Sequence, residues 1–208
     1  MAKIQPIHKE EIEINDPPTL HGRAMDNLRF IRETMERSTA FTAVPGYGGA
    51  LIGATAIGAS IIANQQQAFN KNWLIIWLAE SGLAFAIGLF AVWQKGKNSS
   101  ASLLSAPTRK FVFAFAPAIL AGVLLTAMFY KNGWFEFLPS VWLTLYGVAV
   151  VTGGAYSVKA VPILGWLFIA LGATSIFVPT AYGDWLMMLG FGFFHVIFGI
   201  IIGRRYGG

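Results

Sequence analysis

Six apolar stretches, separated by short polar ones, occupy the chain from residue 45 onward: 45–63, 73–93, 111–130, 138–156, 161–178 and 185–202. Most approach 20 residues, the length an α-helix needs to cross the ~30 Å hydrocarbon core of a bilayer. Three of them share a signature: Trp77-Leu78 with Gly82, Trp142-Leu143 with Gly147, and Trp185-Leu186 with Gly190. In each, the first Lys or Arg follows the Trp by 17 to 19 positions, at Lys95, Lys159 and Arg204. As helix, that interval is again one membrane thickness. The even-numbered spans are therefore expected to run in one direction, Trp at one interface and a cation at the other. The odd-numbered spans echo each other more weakly. Gly53-Ala54-Thr55-Ala56-Ile57 in the first matches Gly172-Ala173-Thr174-Ser175-Ile176 in the fifth, and the third offers only Gly122 and Thr126. The expected fold is an all-α integral membrane protein, its six transmembrane helices forming three tandem hairpins about a pseudo-threefold axis along the membrane normal.

Residues 1–40 follow a different pattern and form a cytoplasmic N-terminal segment ahead of the transmembrane domain of residues 41–208. Pro17-Pro18 and a capping Thr19 open a helix over about 20–38, in which Met25, Leu28, Ile31 and Met35 recur every three or four residues. Arg23, Asp26, Arg29, Glu33 and Arg37 fill much of the remainder, so the helix is amphipathic. It suits the inner leaflet or a protein partner at the cytoplasmic face. No apolar signal-peptide core lies in residues 1–40, and the first span is expected to act as its own insertion signal.

Charge orients the bundle. Thirteen of the fifteen Lys and Arg fall on one side of the six spans, and only Lys71 and Lys131 fall on the other. The positive-inside rule puts both termini in the cytoplasm, which six spans allow, and the location expected is a bacterial inner membrane. The net charge of +5 is thus accounted for by insertion, and nucleic acid is not an expected partner. The chain has no cysteine, which removes disulfides, thiolate catalysis and Cys-ligated metal together. His8 and His21 show no metal-ligand spacing, Gly46-Tyr47-Gly48-Gly49 has no P-loop register, and no Ser–His–Asp order stands out. The reading is non-enzymatic, with no catalytic, cofactor or metal site.

The remaining candidates are polar groups inside or beside the spans. His195 falls near the bilayer middle, either as a neutral imidazole bonded to a neighbouring Thr or carbonyl or as a proton or ligand group. Glu80 is the other obvious intramembrane residue. Counted from their own Trp residues, Glu80 and His195 differ in depth by about 10 Å, which argues against a direct relay. Glu80, Glu136 and Asp184 fall one per hairpin, either as an acidic ring at an outer vestibule or as separate interfacial carboxylates. Thr55 and Thr174 complete the set. Gly49, Gly53, Ala56 and Ser60 form a small-residue face suited to close helix packing, within one bundle or in a homo-oligomer. Pro117 is expected to bend the third span.

Residues 38–49, containing Phe41-Thr42-Ala43-Val44-Pro45-Gly46, resemble a segment of small bacterial membrane proteins with no assigned function. The final hairpin, with its Gly-rich helices, Pro179 turn and Gly199, is similar in style to the acid-resistance membrane protein (HdeD-like) family, which implies six short spans arranged as hairpins. Neither resemblance carries over a functional residue. The function expected is an accessory or stress-related membrane protein that docks through its N-terminal helix on a partner or the inner leaflet. The alternative is a small-solute or ion transporter or channel using polar groups of the bundle.

Overall fold

A computed structural model of the chain describes residues 25–31, 46–66, 69–98 and 106–206. It divides into two compact units, Met1–Ser38 and Thr39–Gly208. In the first unit, residues 25–31 are helical, and the other positions of the expected 20–38 helix lie outside the described residues.

The second unit contains six helices long and apolar enough to span a membrane, so the chain is an all-helical protein of membrane-spanning type. They are α1 (Gly46–Asn64), α2 (Lys71–Asn98), α3 (Ala106–Asn132), α4 (Leu138–Gly154), α5 (Ala160–Phe177) and α6. The last is composite: Gly183–Met187, a π-helical stretch Met188–Phe194, and His195–Tyr206. A 3-10 turn, Phe135–Phe137, leads into α4, and another, Thr180–Tyr182, leads into α6.

Local chemistry explains the helix ends. Asn70 caps α2, its side-chain oxygen accepting the Trp73 backbone N–H at 3.0 Å. Gly133 ends α3 at φ 75°, in the left-handed region that glycine enters without penalty. Trp134 N–H then returns to Phe129 O (3.0 Å) and Gly133 N–H to Tyr130 O (3.4 Å), while the Phe129 and Trp134 rings meet at 6.4 Å. This is a complete Schellman stop with its apolar contact. Pro139 stands in the first turn of α4, where a missing N–H is harmless. Pro117 does not interrupt α3. The Thr152 hydroxyl of α4 lies 2.9 Å from Ala114 O, beside the Phe113 carbonyl that Pro117 leaves without its usual donor.

Packing follows the glycines rather than a threefold axis. The most extensive pairings are α4 with α5 and α1 with α6; α2 adds to α1, α3 adds to α4, and α5 meets α6 only sparsely. A Cβ at Gly53 would stand 2.6 Å from both Gly192 O and Val196 N of α6, and Gly46 lies directly against Gly199 and Gly203. On the other side, a Cβ at Gly147 would stand 2.7 Å from Ile169 N, and one at Gly165 the same distance from Val151 N. Small residues thus let backbones touch where lipid provides no hydrophobic drive between helices. The result is two groups of three, α2·α1·α6 and α3·α4·α5. The third hairpin of the expected pseudo-threefold set, α5 with α6, is not a close pair. The helices at the centre, α4 and α6, bury most, and α2 and α3 bury least.

Candidate functional site

The seam between the two groups is filled by rings. In α6 the π-helical stretch carries Gly190 and Gly192, both buried. A Cβ at Gly190 would come within 2.8 Å of Leu143 and 2.9 Å of Phe168, so α6 approaches α4 and α5 here only because the side chain is missing. Beside it, Phe168 of α5 and Tyr146 of α4 meet at 4.8 Å, and each lies 5.0 Å from Phe191 of α6. Phe115 of α3 adds a perpendicular ring 6.1 Å from Tyr146, and Trp77 of α2 lies 6.1 Å from Phe191. Five helices thus contribute to one aromatic cluster.

His195 sits within it, stacked on Phe191 at an interplanar angle of 10°. Its Nε2 is 2.7 Å from the Tyr146 hydroxyl and its Nδ1 is 3.3 Å from Gly190 O. A carbonyl can only accept, so Nδ1 carries the proton in a neutral ring, and Nε2 accepts from the Tyr146 O–H. The carbonyl contact spans five residues, the spacing of the π-helical turn. Wide turns of this kind recur at functional positions in helices. Chemically, the pair is a linked donor and acceptor inside an apolar wall, able to hold or pass a proton or to hydrogen-bond a small polar guest.

Two carboxylates are placed separately from it. Asp184, in the first turn of α6, accepts the Trp73 indole N–H at 2.6 Å, and its backbone carbonyl accepts the Ser60 hydroxyl at 3.1 Å. One residue therefore ties α6 to both α2 and α1. Glu80 of α2 accepts the Thr55 hydroxyl of α1 at 2.8 Å. That hydroxyl also lies 2.9 Å from Ile52 O, so its single proton serves one acceptor at a time. Trp77 Nε1 is buried near these groups and makes no hydrogen bond among the described residues.

Of the residues expected from sequence, Thr55 and Glu80 are brought together, while His195 and Asp184 each acquire partners of their own. Glu136 is exposed in the 3-10 turn before α4. Thr174 is exposed and bonds Ala170 O of its own helix at 2.8 Å, so it has no part in a site despite matching Thr55 in sequence. The three acids form no ring: one faces Thr55, one faces Trp73 and one faces outward.

The repeated Trp residues are not three equivalent interface anchors either. Trp77 is buried in the bundle and Trp185 is 56% exposed. Trp142 lies against Gly122 and donates its indole N–H to Thr126 at 3.0 Å. Asp184 stands beside Trp73, and Phe191 stands beside Trp77. These contacts set Glu80 level with residues 191–194 rather than with Met188. The ~10 Å depth interval between Glu80 and His195 accordingly shrinks to about one helical turn. No direct bond joins them among the described residues; α1 holds one and α4 holds the other.

Sequence reasoning missed Tyr146 and Trp73, the partners of His195 and Asp184. Each is a polar-tipped ring inside an apolar span, which must find a partner for its O–H or N–H when buried. That requirement was the available signal. No protein-family model, curated protein or solved structure matches the chain.

Proposed function

We propose that the chain is a non-enzymatic accessory protein of a bacterial inner membrane, with its six helices as the anchor and its N-terminal helix as the docking element on the inner leaflet. One observation carries this reading. Met25, Leu28 and Ile31 share one side of helical residues 25–31 and are 52–61% exposed within their unit. Around them the sequence places Arg23, Arg29, Arg32 and Arg37 among Asp26, Glu33 and Glu36, a mixed polar face whose arginines can meet anionic headgroups. Within the bundle, most described polar side chains bond a neighbouring side chain or a backbone carbonyl, which suits an anchor.

The absence of cysteine makes the test direct, because single reporter cysteines can be introduced without background. The full chain is reconstituted in nanodiscs with an environment-sensitive dye at Leu28→Cys or at Asp26→Cys. A blue shift at position 28 but not at 26, stronger with phosphatidylglycerol than with phosphatidylcholine, is the expected result. Equal water exposure at both positions would remove the leaflet role and leave a protein partner as the ligand of this helix.

The second reading, a small-solute or ion transporter, draws on the Tyr146–His195 pair beside the π-helical turn at the seam. Flux into proteoliposomes that disappears in Tyr146→Phe and His195→Gln would support it. Flux unaffected by either substitution would take the pair out of any pathway.

A further inference from the structure

The apolar span of α3 begins at Pro107 and that of α4 ends at Gly154, so these two helix ends share one membrane face. Within the bundle, Lys95, Lys97, Lys159, Arg204 and Arg205 also fall at helix ends on this side, against Lys71 and Lys131 on the other. Between α3 and α4 opens a cleft of about 510 Å³, lined by Arg109, Lys110, Phe113, Ala114 and Tyr156.

The floor of the cleft is fixed by packing. Gly153 brings α4 so close to α3 that a Cβ there would stand 3.2 Å from the Phe111 ring and 3.3 Å from Phe115 Cβ. The Thr152 hydroxyl reaches Ala114 O at 2.9 Å. Past the helix end, Tyr156 is held by its backbone N–H on Gly153 O at 3.1 Å. The lining changes character with depth. Arg109 and Lys110 lie outermost, and Phe113 and Ala114 follow about one turn (~5 Å) deeper. Among the described residues, no carboxylate lines the cleft beside the two cations. Phe113 is 72% exposed, an apolar ring open to the bilayer directly below the charged rim.

We propose that this cleft binds one anionic phospholipid. The headgroup phosphate sits between Arg109, whose guanidinium can engage two oxygens, and Lys110, a point charge, with the Tyr156 hydroxyl donating. The acyl chain descends over Phe113. A soluble phosphate would use the charged rim alone and leave the apolar lower wall against lipid unused. The paired charge and apolar depth favour the lipid. The site belongs to the bundle and does not depend on the N-terminal helix.

The test is native mass spectrometry of the full chain released from mixed phosphatidylglycerol and phosphatidylcholine nanodiscs. One phosphatidylglycerol per protomer should be retained in preference to phosphatidylcholine. Arg109→Gln with Lys110→Gln should lower that retention about tenfold or more. The charge-conserving pair Arg109→Lys with Lys110→Arg should keep most of it. Arg204→Gln with Arg205→Gln, on the same face but outside the cleft, should leave it unchanged. Retention that survives the first pair, equal loss in the 204/205 pair, or equal retention of both lipids overturns the proposal. Displacement of the lipid by inorganic phosphate would identify a soluble anion as the occupant and overturn it too. Should the neutral pair fail to fold, acetylation of Lys110 in the unmodified protein decides. Protection in phosphatidylglycerol but not phosphatidylcholine supports the site, and equal labelling overturns it.

Discussion

The two groups of helices use glycine in the same way and polar side chains in different ways. In α2·α1·α6, Gly46 and Gly53 face Gly192, Gly199 and Gly203; in α3·α4·α5, Gly147 and Gly154 face α5 near Pro162, Gly165 and Ile169. Backbone contact is equally tight in both. Yet both buried carboxylates, Glu80 and Asp184, lie in the first group. The second is tied by neutral groups, Trp142 on Thr126 and Thr152 on Ala114 O. Close approach and polar bonding are thus separate devices: the first sets which helices are neighbours, and the second pins their register. His195 and Tyr146 are where the two groups meet.

The largest effect should come from attacking the shared device. Gly53→Val and Gly147→Val each drive a branched side chain into backbone atoms, and either should lower stability by about 3 kcal/mol, the upper end of overpacking costs. Thermal unfolding in detergent measures this. Gly82→Ala, with nothing within 4 Å of the added Cβ, should instead be neutral or stabilising by up to about 1 kcal/mol. Similar losses at 53 and 147 would uphold the equivalence of the two glycine seams, and a loss at only one would break it.

Next in size is the carboxylate that only one group possesses. Trp73→Phe leaves the Asp184 carboxyl without its indole donor and should cost about 2 kcal/mol. Asp184→Asn keeps an acceptor for Trp73 and should cost less than half as much. Parallel denaturation curves compare the two, and equal losses would show that the packing of Trp73, not its N–H, carries the contact.

The junction itself is a smaller term. Tyr146→Phe and His195→Gln should each cost about 1 kcal/mol, and the double variant little more than either, because they remove one shared hydrogen bond. Additive losses in that cycle would mean the groups act independently. Smallest of all is Glu80→Gln. The amide still accepts from Thr55, so its change in stability should stay within about 0.5 kcal/mol.

Much of the architecture was legible in the chain. Six apolar spans and their order follow from hydropathy, and the small-residue face of α1 was visible as a packing surface. α4 forms a full helix despite its early Pro139, Ser140 and Thr144. The candidate site was half legible: His195 and Glu80 announce themselves as ionisable groups in apolar runs, but their partners do not. Thr55 and Thr174 share a local motif and diverge completely, because α2 presents Glu80 to one and the other faces outward. The Trp repeat misled for a similar reason. It marks comparable places along three helices, whereas depth in the bundle is set by which ring packs on which, and α2 slides about a turn past the register that Trp77 and Trp185 suggest.

By itself, the sequence determined what each segment prefers as a solvent. Transfer of apolar side chains into lipid and exclusion of Lys and Arg from one face are properties of single residues summed along a helix. Tertiary structure alone decided which helices touch and which polar atom answers which. A glycine permits close approach without naming its partner, and an O–H or N–H in an apolar interior is satisfied only by whatever acceptor another helix brings within about 3 Å.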